Sequence, residues 1–277
     1  QNNMINGVLN VWKEAGFTSH DVVAKLRGIL HQKKIGHTGT LDPDATGVLP
    51  VCLGKGTRLC DMLTDETKTY EALLHLGIAT DTQDMSGTVT AEAPVTVTEE
   101  EVRDCIASFV GEQQQVPPMY SALKVDGRKL CDLARAGVTV ERAARPVHIF
   151  SIEILSIELP RVRMRVCCSK GTYIRTLCQD VGEVLSCGAC MESLLRTRVG
   201  EFALADAIKL SEVEAYVIAH RSDAAETEEM QLPFLQAVDT VFLKYESATV
   251  DGQFRKYLYN GNRLRPEMFL EEYESMR

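Results

Sequence analysis

Between Gly36 and Pro50 the chain reads Gly-His-Thr-Gly-Thr-Leu-Asp-Pro-Asp-Ala-Thr-Gly-Val-Leu-Pro, which sets His37, Asp42 and Asp44 among glycines, prolines and threonines. A carboxylate held in such a segment can act as a nucleophile or stabilise a cation. A nucleotide cradle is not expected, because no Lys follows the glycines in a P-loop pattern and no Gly-x-Gly-x-x-Gly opens a helix. Cys187-Gly-Ala-Cys190 has the spacing of half a zinc site or of a redox pair. No second Cys-x-x-Cys and no His pair completes it, so no metal is expected.

The elements that must hold these groups can be read from periodicity. Thr18 and Asp21 are spaced as a capping box for a helix from Ser19 to Lys33, with Val22, Val23, Leu26 and Leu30 as its apolar stripe. Residues 36–56 follow neither a helical nor an alternating period and are expected to form a structured loop. Lys68 to Gly77 alternates as a strand and ends in a polar turn around Asp84-Met-Ser-Gly87. Thr98 and Glu101 open a second helix that buries Val102, Cys105, Ile106 and Phe109. Beyond Pro117-Pro118, a short helix through Leu130 and Leu133 stops at Gly137. The region 124–146, with Arg135, Arg142 and Arg145, reads equally as a solvated face or as an RNA-contacting insertion. Two strands broken at Pro160 span Val147 to Cys168 and put Arg161, Arg163 and Arg165 on one face. A helix from Tyr173 to Leu185 follows. Strands and helices without regular alternation indicate an α+β domain, expected over residues 4–221. Ser222 to Glu229 reads as an acidic linker, ahead of a small C-terminal domain at 230–277.

A chain of 277 residues with 45% apolar and 25% charged residues suits one large and one small domain. No run approaches the roughly 18 to 20 apolar residues of a membrane helix, and no leader pattern opens the chain, so a cytoplasmic protein is expected. Its nine cysteines are expected to be reduced thiols. The net charge of −9 argues against a polyanionic partner. However, residues 1–60 hold 7 basic against 4 acidic side chains, and a basic cleft on an acidic protein can still bind RNA.

As one string, residues 36–50 resemble the TruB family of tRNA pseudouridine-55 synthases. Further segments carry the resemblance in order: Gly7-Val-Leu-Asn10 with Gly16-Phe-Thr-Ser-His-Asp21; Lys68-Thr-Tyr70 with Thr80-Asp-Thr82; Pro117-Pro-Met-Tyr-Ser-Ala-Leu-Lys124; Ala144-Arg-Pro146; and Cys168-Ser-Lys-Gly-Thr-Tyr-Ile-Arg175. Coverage is nearly continuous from Asn6 to about Val199. Lys13-Glu-Ala-Gly16 departs from the family's Lys-Pro-x-Gly and removes a rigid Pro from the first loop.

The resemblance implies a pseudouridine-synthase-like catalytic domain, with a mixed, mainly antiparallel sheet flanked by helices, and a C-terminal domain that is PUA-like or truncated. It implies isomerisation of uridine 55 in the tRNA T-arm without cofactor; no protein partner is evident in the sequence, and a monomer is expected. Asp42 falls on the family's nucleophile. Arg175 falls on the arginine that pairs with it and is expected to keep its pKa low, and Tyr70 on the tyrosine that stacks on the target uracil. His37 corresponds to the residue that helps fill the place of the flipped base, and Leu194 to an apolar wall of the base pocket. Tyr173 lies in the same motif as Arg175 and is a further substrate-binding candidate; Lys13 and Lys124 are phosphate candidates. The rival expectation is a tRNA-folding factor that keeps the scaffold without chemistry.

Overall fold

In the computed structural model, which describes residues 4–221 and 231–270, both capping boxes form. Thr18 Oγ1 accepts from the Asp21 N–H at 3.0 Å while Asp21 accepts from the Thr18 N–H at 2.8 Å, which opens the helix Ser19–Leu30. The same exchange between Thr98 and Glu101 opens Glu99–Ala107. The first helix stops short of Lys33 because His31 adopts a left-handed conformation, φ 50°, which cannot continue a right-handed helix. Gly137 is left-handed, φ 72°, just after the short helix Leu130–Arg135.

The strands build one ten-stranded sheet. Its order runs through residues 235–236, 7–13, 46–53, 189–199, 68–76, 161–168, 145–158 and 111–115, with 35–37 and 202–203 attached off this path. Among the described residues its ladders are antiparallel with one exception, where Leu195 and Arg196 run parallel to Thr46 and Gly47. That junction demands glycine. A Cβ on Gly47 (φ +113°) would come within 2.1 Å of the Arg196 carbonyl oxygen.

The strand Thr46–Leu53 corrects the expectation of a loop through residues 36–56. Every residue from Gly47 to Leu53 is buried, so both faces of the strand are apolar and the period-2 signal vanishes. Pro50, which donates no hydrogen bond, still serves as an acceptor for the Thr38 N–H and hydroxyl at 3.2 and 3.0 Å.

Two apolar cores lie along the sheet. One joins the strands Gly7–Lys13 and Thr46–Leu53 to the helices Ser19–Leu30 and Leu210–Arg221 through Leu9, Val11, Val22, Leu26, Leu49 and Val213. The other joins the strands Lys68–Leu76 and Arg161–Cys168 to the helices Glu99–Ala107 and Ile174–Val184 through Leu74, Ile106, Val166 and Leu177. Truncating a fully buried leucine in either, such as Leu74→Ala, is expected to destabilise by about 2–5 kcal/mol.

The chain divides into compact units at Gln1–Gln236 and Ala237–Arg277. Residues 231–236 thus go with the larger unit, where Leu235 and Gln236 pair with Leu9 and Val8. The described part of the smaller unit holds three 3-10 turns, a five-residue helix at Arg255–Tyr259 and an isolated bridge between Val250 and Phe269. The expected linker at 222–229 lies outside the described residues. Among those described, no helix is long and apolar enough to cross a membrane.

Candidate active site

Asp42 sits on the turn that enters the buried strand Thr46–Leu53, with the Ala45 N–H donating to its carbonyl at 3.1 Å. Leu41 and Ala45, on either side, anchor this turn in the second core. The turn is also held from below. Lys13, 0% exposed, donates through Nζ to the carbonyls of Glu14, Phe17 and Pro43 at 3.0, 2.7 and 3.0 Å. With three acceptors the ammonium has no donor left for RNA, so Lys13 is a brace of the Asp42 loop and not a phosphate contact. Desolvation lowers its pKa to about 8. The Gly16 N–H also reaches the Pro43 carbonyl at 3.0 Å, so the first loop is tied down without the family's proline.

Arg175 comes from the first turn of the helix Ile174–Val184. Tyr173, just before it, is gripped by one side chain: the Gln115 amide accepts from the Tyr173 N–H at 2.9 Å and donates to its carbonyl at 3.2 Å. Arg175 is 4% exposed and Asp42 34%. Its Nε donates to Asp42 Oδ2 at 2.8 Å and Nη2 to Oδ1 at 3.2 Å, a two-pronged pair. The remaining donors reach the carbonyls of Tyr120, 2.9 Å, and Thr82, 3.2 Å.

Burial pushes the Asp42 carboxyl above its ordinary range; Arg175 pulls it down without cancelling the rise, and Asp84 adds to it. The expectation of a low pKa is thereby reversed, since withdrawal of the carboxylate from water outweighs the attraction of its partner.

A cavity of about 660 Å³ is lined by Asp42, Tyr70, Tyr173, Arg175, Leu194 and Arg196. A second, of about 730 Å³, is lined by His37, Asp42, Asp84, Tyr120, Arg175 and Leu194. The ion pair and Leu194 belong to both. Burial raises the phenols of Tyr70 and Tyr173 and lowers His37, so all three favour their neutral forms. Lys124 is exposed on a two-residue strand and lines neither cavity.

Several contributors were missed. Thr82 closes the motif Thr80-Asp-Thr82 without an expected role, and Asp84 lies in the polar turn that follows; Asp84 accepts from Thr82 Oγ1, Ser86 Oγ and the Ser86 N–H at 2.7, 2.6 and 3.0 Å. Arg196, 1% exposed, donates to the Val48 carbonyl at 2.8 Å; its strand also carries Glu192 and Arg198, so no local pattern sets it apart. The basic groups also divide. Arg142 turns inward to the carbonyls of Pro117 and Val140, whereas Arg145 lines the first cavity. On the sheet face, Arg161 pairs with Glu192, and Arg165 with Glu71 and Glu153.

Two family models match the chain. One, described as TruB family pseudouridylate synthase (N terminal domain), covers residues 27–174; the other, described as tRNA pseudouridylate synthase B C-terminal domain, covers 175–248. A protein of Lachnoclostridium phytofermentans named tRNA pseudouridine synthase B is 52% identical over 97% of this chain and 87% of its own length. One of the same name from Alkaliphilus oremlandii is 46% identical over 94% and 83%. A crystal structure of a Cbf5-Nop10-Gar1 complex superposes with a TM-score of 0.76 at 32% identity, over 95% of this chain and 69% of that one.

Proposed function

The chain belongs to the TruB family of pseudouridylate synthases, and from that premise we propose that it isomerises a uridine of tRNA, at position 55 in the T-arm, to pseudouridine. The observation that carries the reading is the Asp42–Arg175 pair, bidentate and walled by Tyr70, Tyr173 and Leu194.

The reaction breaks the N1–C1′ glycosidic bond, turns the uracil and joins its C5 to C1′; C5 gives up its proton and N1 takes one up, so the exchange with water is balanced. Reactant and product have the same atoms and redox state, so no cofactor is needed. Asp42 is the nucleophile, aimed by the fork of Arg175. A stacked uridine must first leave its loop, which takes a few kcal/mol of unstacking. Tyr70 and Leu194 receive the base, and neutral His37 stands beside the opening it leaves. Exposed Lys124 contacts phosphate. The larger unit is the catalytic domain, with the 124–146 insertion reaching toward the RNA and the C-terminal segment as an accessory, and the enzyme works as a cytoplasmic monomer.

The test is tritium release from C5-labelled uridine in a T-arm transcript, comparing the wild type with Asp42→Asn. Release that disappears in the variant supports both reaction and nucleophile. A wild type that binds the transcript without releasing tritium would leave a tRNA-folding role instead.

A further inference from the structure

We infer that Arg196 is a positioning residue for this reaction: its guanidinium, clamped against the Val48 carbonyl, holds the hydroxyl of Tyr70 and so orients the ring that faces the target base. This rests on the function proposed above.

Arg196 and Tyr70 are register partners on adjacent antiparallel strands, so their side chains leave the same face of the sheet. Both line the cavity that holds Asp42 and Arg175, and both are almost fully buried, 1% and 8% exposed. The Nε bond to Val48 at 2.8 Å fixes the guanidinium plane. The backbone of Arg196 abuts Gly47 so closely that no Cβ fits there, which fixes where the side chain begins.

Bracing Val48 requires one donor, and a neutral side chain could supply it. A guanidinium leaves further donors, one of which, Nη2, is buried with no partner in the protein. Burying a charge is costly unless it is used, and here the neighbours make it worse, because Lys13 and Lys68 are themselves buried cations that feel its repulsion. Placed across the ladder from Tyr70 in the same cavity, the Arg196 charge favours the phenolate and draws that hydroxyl's pKa down against the opposing push of burial. The pair therefore gives a tyrosine in an apolar wall a fixed hydroxyl direction and a more acidic proton than the wall alone would allow.

The experiment is a double-mutant cycle on the full chain, with kcat and KM measured on a tRNA transcript for Arg196→Lys, Tyr70→Phe and the double variant. Beside it runs an ultraviolet tyrosinate titration of the wild type and of Arg196→Gln, each read against its own Tyr70→Phe counterpart as blank. Arg196→Lys is expected to lower kcat about tenfold or more with KM within about twofold, and to cost less than about twofold further once Tyr70 is Phe. In Arg196→Gln the Tyr70 ionisation moves to higher pH. Equal losses in both backgrounds, or an ionisation that does not move, would overturn the pairing and leave Arg196 a strut. Should Arg196→Gln not fold, the Lys cycle decides alone. The titration reads Tyr70 without turnover, so a wild type that makes no pseudouridine would sink the proposed function without deciding the pair.

Discussion

Arg175 and Arg165 use the same chemistry in different surroundings. Each holds carboxylate oxygens at hydrogen-bonding distance: 2.8 Å from Arg175 to Asp42, 2.9 and 2.7 Å from Arg165 to Glu71 and Glu153. The Arg175 side chain is 4% exposed and that of Arg165 43%. On the open sheet face, water and salt screen the pairs, which neutralise charge and add little stability. In the cleft, the carboxyl has lost water that the guanidinium does not fully replace, so its pKa rises. The buried pair fixes the direction of the carboxylate and shifts its pKa, whereas the exposed pairs stay in water.

The largest effect expected to sharpen this contrast is at Asp42, the proposed nucleophile. Asp42→Asn keeps the shape of the side chain and should lower turnover by at least about a thousandfold, read as tritium release. Activity at the wild-type level would remove the basis for treating the cleft pair as catalytic. Next is Arg175→Met, which strands a half-buried carboxylate. Loss of about 3 kcal/mol is expected, a drop in Tm of roughly 6–12 °C by thermal unfolding. A Tm within 2 °C of the wild type, on the same scale of about 2–4 °C per kcal/mol, would make the cleft pair as weak as a surface one.

The third prediction concerns pH. Burial raises the folded-state pKa of Asp42, so the ionised form that the proposed attack requires is lost at a higher pH than in a free aspartate. The acid limb of kcat/KM should fall above about pH 4, and a limb below that value would contradict dominance by desolvation. The stability contribution has the matching sign: it is fully present below the unfolded pKa and lost as pH rises through the folded one.

Lysines repeat the contrast at a smaller scale. Lys13→Met should lower Tm, since three loop carbonyls lose their donor. Lys124→Ala should leave Tm unchanged and flatten the salt dependence of tRNA binding by about one phosphate. The smallest effect is expected at Arg165→Ala, with Tm shifted by under about 2 °C and turnover unchanged. A large turnover loss there would restore the sheet face as an RNA contact.

Much of the scaffold was legible locally. Capping boxes, the alternation of Lys68–Leu76 and the paired strands around Pro160 depend on neighbours a few residues apart, and all formed. The strand Thr46–Leu53 was not legible, because burial on both faces erases the period that marks a half-buried strand. The triad of Asp42, Tyr70 and Arg175 was named from motif resemblance, and its members do line one cavity. Lys13 was misread because a lysine in a loop motif looks the same whether its stem turns outward or into the protein.

Residue types, their order and their spacing determined the family, the helices with their caps, and which groups could do chemistry. The tertiary structure alone decided which of those groups are out of water and what they face: that Lys13 spends its donors on carbonyls, that Arg161 and Arg165 are neutralised, and that Asp42 is raised rather than lowered. The reason is physical. Hydrogen bonding and desolvation act over a few ångströms in space, between residues as distant in sequence as Asp42 and Arg175, and no local pattern encodes how much water remains between them.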